Sequence, residues 1–226
     1  PNGPGGYLVK FYLYDVFRGE QLTGYSMPTT ASDLRATAHH IADIIYETLT
    51  GEPGAYATRI AYVASIRSGN GKDAKERVEL RIADADGYAP QTIVSSEEPI
   101  MSPVWSPDGS KIALSRDLRA GRGWQIALVS PTGDSLATLT SINPGFVEAR
   151  DPAWSPDGSK IAFTGKTATG SQGIWVMNAD GSDLTQFTDD GYRPEWAPNG
   201  ALILFNRGAK PYVAPATGGT PTVLPH

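Results

Sequence analysis

Along most of this chain apolar and polar residues alternate in short runs, and helical spacing appears only once. "YLVKFYLYDV" puts Val9, Phe11 and Leu13 on one side and Lys10, Tyr12 and Tyr14 on the other, the period of a half-buried strand. "FRGEQ" turns, and "LTGYSM" returns as its antiparallel partner. The exception is "TTASDLRATAHHIADIIYETLTG", where Leu34, Ala38, Ile41, Ile45 and Leu49 recur at helical spacing. Ser32 or Thr30 is placed to cap that helix, Asp33 suits its positive end, and Gly51 is a natural stop. The helix is expected to lay its apolar stripe on the two strands. Residues 1–57 thus read as a partial N-terminal α/β domain (strand, strand, helix), with "GEPGAYAT" at 51–58 as the link to a second domain. "PNGPGGY" reads as a hairpin loop entered halfway, so the sequence is expected to begin inside the first domain.

From residue 58 onward the strand pattern repeats. "WSPDGSKIA" stands at 105–113 and again at 154–162, and "WAPNGALIL" at 196–204 is a worn copy. Trp105, Trp154 and Trp196 are 49 and 42 residues apart, a period that fits propeller blades of four strands each. Ser-Pro-Asp-Gly is a turn with a mechanism: proline presets φ, serine suits the first position, and glycine accepts the left-handed conformation that closes the hairpin. After each turn come a strand ("KIALSR", "KIAFTG", "ALILFN"), a second strand ("QIALVS", "GIWVMN", "PYVAP"), a glycine turn and a short outer strand ("ATLT", "TQFT", "TVLP"). The same order runs upstream through "RIAYVAS", "ELRIADADG" and "QTIV", without a leading strand. The expectation is a mainly β chain, residues 58–226 forming a β-propeller domain of four blades, the first lacking its innermost strand. The tryptophans are expected to head the inner strands and wedge between blades. Only "LPH" comes after the last outer strand, too little to complete the first blade. An open or strained four-blade arc is therefore expected, associating with other chains through its unpaired edges.

Composition narrows the function classes. The chain has 226 residues, 40% of them hydrophobic and 19% charged, with a net charge of −5. With no long basic run, neither nucleic acid nor an anionic membrane is an expected partner. Cysteine is absent, which removes disulfides and thiolate metal sites. No apolar run approaches the ~20 residues of a membrane span, and no signal peptide starts the chain.

Candidate chemistry is sparse. The histidines are His39, His40 and His226; the first two, adjacent on a helix, diverge and do not chelate one ion. No G-x-S-x-G elbow is present, and no Ser-His-Asp triad can be assembled from strands without histidine. "DADG" at 84–87 has its glycine at the wrong position for a calcium loop and reads, like "NADG" at 178–181, as a hairpin turn. Asp108 and Asp157 read as turn residues. Trp124, at the start of a second strand, is the one tryptophan with a ligand-stacking alternative to core packing. No catalytic residue, metal or cofactor is expected.

The junction "ADIIYETLTGEPGAYATRIAYVA" and its continuation "ADADGYAPQTIVSSEEPIMSPVWSPDG" resemble the TolB family of periplasmic propeller proteins in the Tol-Pal envelope system. The resemblance runs through essentially all 226 residues. It implies a six-bladed propeller behind a fuller N-terminal domain, of which this chain carries four blades and a second half. It also implies a non-enzymatic periplasmic scaffold that binds Pal, the peptidoglycan-associated lipoprotein, at a mouth of the channel, with roles in outer-membrane integrity and constriction at division. The family's Pal-contacting loops lie just ahead of the "P-x-W/F" positions. Carried over, these are Ile100, Met101 and Ser102; Glu148, Ala149, Arg150 and Asp151; and Tyr192 and Arg193. "EARD" and "YR" stand where the family has an uncharged His-Asn-Gly-Ala type stretch and Thr-Glu. The TolA-binding segment at the family's extreme N-terminus has no counterpart here. The alternative is the gating propeller of a prolyl oligopeptidase-like hydrolase, or of a lyase, whose catalytic domain lies outside this chain.

Overall fold

A computed structural model describes residues 6–69, 75–118, 123–140 and 145–224. The chain divides into two compact units, 1–60 with 83–90, and 61–82 with 91–226. In the first, β1 (Gly6–Asp15) pairs antiparallel with β2 (Glu20–Thr30), Phe11 opposite Tyr25 and Val9 opposite Met27. Val9, Phe11 and Leu13 are half-buried while Lys10, Tyr12 and Tyr14 are exposed, as alternation requires. Helix α1 spans Leu34–Thr50 and ends on Gly51 at φ 78°, whose amide donates to the Glu47 carbonyl.

The start of that helix differs from expectation. Asp33 is the N-cap and makes no side-chain cap bond. Thr30 belongs to the end of β2, and its hydroxyl is taken up by Ser32 (2.7 Å) and Asp33 (2.6 Å), so neither proposed cap reaches the helix amides. The apolar stripe is also shorter than read: Ile41 and Ile45 are half-buried, but Leu34, Ala38 and Leu49 are exposed. His39 Nδ1 lies 2.6 Å from the Tyr56 carbonyl, and His40 is exposed. His226 lies outside the described residues.

The second unit carries the repeat. The first blade is β3 (Arg59–Ser68), β4 (Lys75–Asp84) and β5 (Gln91–Ser96), a three-stranded sheet. The second is β6 (Ile100–Trp105), β7 (Ile112–Asp117), β8 (Trp124–Val129) and β9 (Leu136–Thr138). The third is β10 (Phe146–Trp154), β11 (Lys160–Thr167), β12 (Gln172–Asn178) and β13 (Thr185–Gln186). The fourth is β14 (Tyr192–Trp196), β15 (Leu202–Arg207), β16 (Lys210–Pro215) and β17 (Thr222–Val223). Strands neighbour in sequence order within each blade, antiparallel throughout the second, third and fourth, and no helix interrupts β6–β17 among the described residues. The second and third blades are also stitched by one parallel pair, Glu148 opposite Trp124. A Cβ on Gly123, beside it, would collide with the Val147 carbonyl oxygen, so the stitch demands glycine there.

The repeated letters explain how the blades stack. Along "KIAL", Ile112 and Leu114 pack toward the first blade with Leu80, Ile82, Ala127 and Val129. Ala113, between them, faces the third blade with Ile126 and Leu128, meeting Ile161, Phe163 and Met177. The third blade repeats this, with Ala162 turned toward Ile203 and Phe205 of the fourth. A small residue between two large ones makes one face bulky and the other recessed, so consecutive blades interlock at interior density. The tryptophans close the inner strands rather than heading them, since the inner strand precedes the turn. They still wedge as expected: Trp105, Trp154 and Trp196 each pack in one inter-blade cluster. Among the described residues no cluster joins the fourth blade to the first.

At each turn Ser106 and Ser155 donate to Asp108 and Asp157 (2.6 and 2.5 Å), which also accept the amides of Ser110 and Ser159 (both 3.0 Å). Gly109, Gly158 and Gly200 come next at φ 68°, 72° and 70°.

Phe163, fully buried between the second and third blades, should cost about 3–5 kcal/mol when truncated to alanine, read from the urea midpoint at unchanged slope. The hydroxyl and amide donors hold the Asp108 and Asp157 carboxyls down at about 2. A carboxyl harder to protonate folded than unfolded stabilises fully above its unfolded value near ~3.9. That contribution is lost as pH falls toward 2. Asp108→Asn with Asp157→Asn should flatten the acid limb of a stability-versus-pH curve over that window.

Candidate partner-binding site

The candidate residues lie within the leading ends of the inner strands, β6, β10 and β14, rather than in loops ahead of them. Each of these ends carries the same irregularity. Register slips between Met101 and Val104, between Arg150 and Ala153, and between Tyr192 and Glu195. At the slip stand Ser102, Asp151 and Arg193 with φ of 50°, 54° and 53°, each followed by proline. This left-handed backbone costs a residue with a Cβ about 1–2 kcal/mol, and a following proline biases its predecessor toward extended conformations. Three such residues in register are held against their own preference by their surroundings.

The holding groups come from the preceding blade. Asp151 donates its amide to Ser115 Oγ on β7 (3.0 Å), and Arg193 donates its amide to Thr164 Oγ1 on β11 (2.9 Å). Ser115 and Thr164 occupy one register position, opposite Met101 and Arg150. Ser102 Oγ donates to Asp151 Oδ1 (3.0 Å), joining the second blade's bulge to the third's. Hydrogen bonds thus tie the second blade's bulge to the third's, and the fourth blade's bulge to β11 of the third.

Side chains divide by exposure. Ile100 and Ala149 are buried in the inter-blade clusters, so they shape the backbone and present nothing outward. Met101, Tyr192 and Arg193 are exposed, and Ser102, Glu148, Arg150 and Asp151 half-exposed. Arg150 is engaged locally: its guanidinium pairs with Glu148 (2.9 Å) and covers the Trp124 ring at 4.5 Å. Trp124 is therefore half-buried under an arginine, a role the stacking alternative did not foresee. Nearby, Arg116 pairs with Glu98 (3.3 Å), and the Ser96 hydroxyl and Arg116 hold the Glu98 carboxyl below its usual range. Arg207 pairs with Asp190 (2.5 Å) and leans over Phe205 and Tyr212. No ion pair reaches Arg193 among the described residues. The segment 141–144, ahead of β10, lies outside the described residues. No group of three or more potential metal ligands occurs among the described residues, and no described helix is long and apolar enough to cross a membrane.

Sequence reasoning missed Ser115 and Thr164. Their only signal is position, the fourth letter after lysine in "KIALS" and "KIAFT", where a hydroxyl replaces an apolar residue.

The TolB beta propeller domain family model matches residues 46–223. A Tol-Pal system protein TolB of Methylococcus capsulatus is 51% identical over 113 residues, 50% of this chain and 26% of that protein. A crystal structure of TolB from Acinetobacter baumannii superimposes with a TM-score of 0.80 at 29% identity, covering 99% of this chain and 55% of that one. The chain thus spans about a quarter of the curated relative and about half of the solved structure. An oligogalacturonate lyase in complex with manganese superimposes with a TM-score of 0.58 at 16% identity, covering 74% of this chain and 50% of that one; this likeness concerns the fold alone.

Removing either holding hydroxyl takes away a hydrogen bond to a strained backbone amide, at about 0.5–1.5 kcal/mol. Thr164→Ala should raise amide hydrogen exchange at Arg193, and Ser115→Ala at Asp151, while Thr164→Ser leaves Arg193 protected. Equal protection in the alanine variants would show that the bulges stand without the hydroxyls.

Proposed function

The chain belongs to the TolB β-propeller family, and from that premise we propose that the three bulged strand ends form a docking surface for a peptidoglycan-associated lipoprotein of the Tol-Pal system. In this reading the protein is a non-enzymatic scaffold of the periplasm, contributing to outer-membrane integrity and to envelope constriction at division. The observation that carries it is the series of left-handed residues Ser102, Asp151 and Arg193. Backbone strain repeated at one end of three successive strands is kept where a fixed surface has work to do. A preorganised surface loses little conformational entropy on binding, and Met101, Tyr192 and Arg193 supply the exposed apolar, aromatic and cationic contacts that interface centres favour.

Isothermal titration of the whole chain with the soluble domain of the lipoprotein tests the reading. One-to-one binding is expected. Arg193→Glu should weaken it by about 1 kcal/mol or more, roughly fivefold in the dissociation constant, and Tyr192→Ala should weaken it as well. Arg150→Glu is the poorer probe, because it sets a second carboxylate beside Glu148 and uncovers Trp124. Absence of binding by the unaltered chain, or full affinity in a doubly altered Tyr192→Ala, Arg193→Glu protein, would overturn the assignment.

A further inference from the structure

The first unit holds a pocket of about 530 Å³ whose lining lies wholly within that unit. Helix α1 contributes His39 and Tyr46, the linker Pro53 and Tyr56, and the tip of the β4–β5 hairpin Asp86. The helix fixes the linker wall. Both oxygens of Asp43 accept backbone amides, Oδ1 from Tyr56 (2.7 Å) and Oδ2 from Ala57 (2.9 Å), and a Cβ on Gly54 would collide with the same aspartate. Tyr56 is thereby held against Tyr46, edge to face, with ring centroids 6.4 Å apart. Both rings stay about half exposed, at 51% and 42%.

Charge around the pocket is one-sided. Residues 33–58 and 83–90, which build it, carry six carboxylates and one guanidinium, that of Arg35. With histidine neutral, this excess equals the net charge of −5 on the entire chain. Arg35 answers Asp86 and, at 3.7 Å, Asp84, and it covers the Tyr88 ring at 4.1 Å. No cation reaches Asp43, Glu47 or Glu52 among the described residues. The Tyr56 carbonyl only accepts, so His39 Nδ1, 2.6 Å away, is the donor. In the neutral ring Nε2 is then an acceptor, and it faces Asp86 Oδ2 at 3.5 Å. Two acceptors beside two tyrosine rings call for a cationic N–H donor. Elsewhere the chain completes such sets itself: Arg150 pairs with Glu148 over Trp124, and Arg207 pairs with Asp190 over Phe205 and Tyr212.

We propose that this pocket receives an arginine side chain of a partner protein, its guanidinium stacked on Tyr46 and Tyr56 and donating toward His39 Nε2 and Asp86. A planar guanidinium stacks and donates at once, which a compact, strongly hydrated ammonium does less well. The excess of carboxylates around the pocket draws the cation in. The site belongs to the first unit, so it stands or falls independently of lipoprotein docking at the bulged strand ends.

The whole chain, isotope-labelled, is titrated at low salt with acetyl-Ala-Arg-Ala-amide, following backbone amide shifts. The citrulline peptide, alike in shape and uncharged, and the lysine peptide serve as controls. The arginine peptide should give saturable shifts at Tyr56, Ala57, Ala85 and Asp86, the lysine peptide should bind several-fold more weakly, and the citrulline peptide should leave these amides unmoved. Tyr46→Ala removes an exposed ring and should weaken the arginine peptide about threefold or more, whereas Tyr46→Phe, which keeps the ring, retains it. Absence of saturable shifts at these residues, or shifts scattered over surface carboxylates, would overturn the proposal. So would equal binding by the citrulline or lysine peptide, or full affinity in Tyr46→Ala.

Discussion

A sheet that is apolar on both faces has to be covered twice, and the architecture of the second unit rests on that requirement. Ile112 and Leu114 look one way and Ala113 the other, so no blade is satisfied by a single neighbour. Burial of apolar area is the main stabilising term, and here it is available only when blades stand in series at a fixed pitch. The interlock of bulky and recessed faces sets that pitch. The tryptophans at the strand ends fill the wedge that remains, Trp196 also donating its indole N–H to the Ala153 carbonyl of the preceding blade (3.2 Å).

This order of causes explains what could be read without coordinates. Blade number and strand order were legible because the turn chemistry of Ser106–Gly109 repeats in plain letters, and because period-two alternation marks each strand. The C-terminal stop of the helix was legible for the same reason, since Gly51 does what only glycine does cheaply there. The helix start was not: Thr30 and Ser32 have capping chemistry, but Thr30 is still in the strand, and local hydroxyl–carboxylate contacts with Asp33 win. The bulges were not legible either. Serine, aspartate and arginine share no propensity for left-handed backbone, and a following proline argues for the opposite conformation. The site's location came from family resemblance, and which of its side chains face outward came only from the structure. Ile100 and Ala149 turn inward into the inter-blade clusters, Ile100 ahead of the slip and beside exposed Met101.

The electrostatics of the site show a division of labour. Arg116, Arg150 and Arg207 are each engaged by a neighbouring carboxylate and, for two of them, by an aromatic ring. Planar guanidinium suits this work, stacking and pairing at once. Arg193, which no ion pair reaches among the described residues, is exposed and has little burial to lose. Charge thus serves architecture where it is half-buried and stays available where it faces solvent.

Two of the left-handed residues, Asp151 and Arg193, are held through their backbone amides by hydroxyls of the preceding blade. The shape of the surface is therefore encoded at Ser115 and Thr164, away from the positions that face outward. Mutation at Met101, Tyr192 or Arg193 alters what the surface offers without altering where it stands. What such a surface prefers to bind is therefore open to change one exposed residue at a time, while its shape is inherited from the strands beneath.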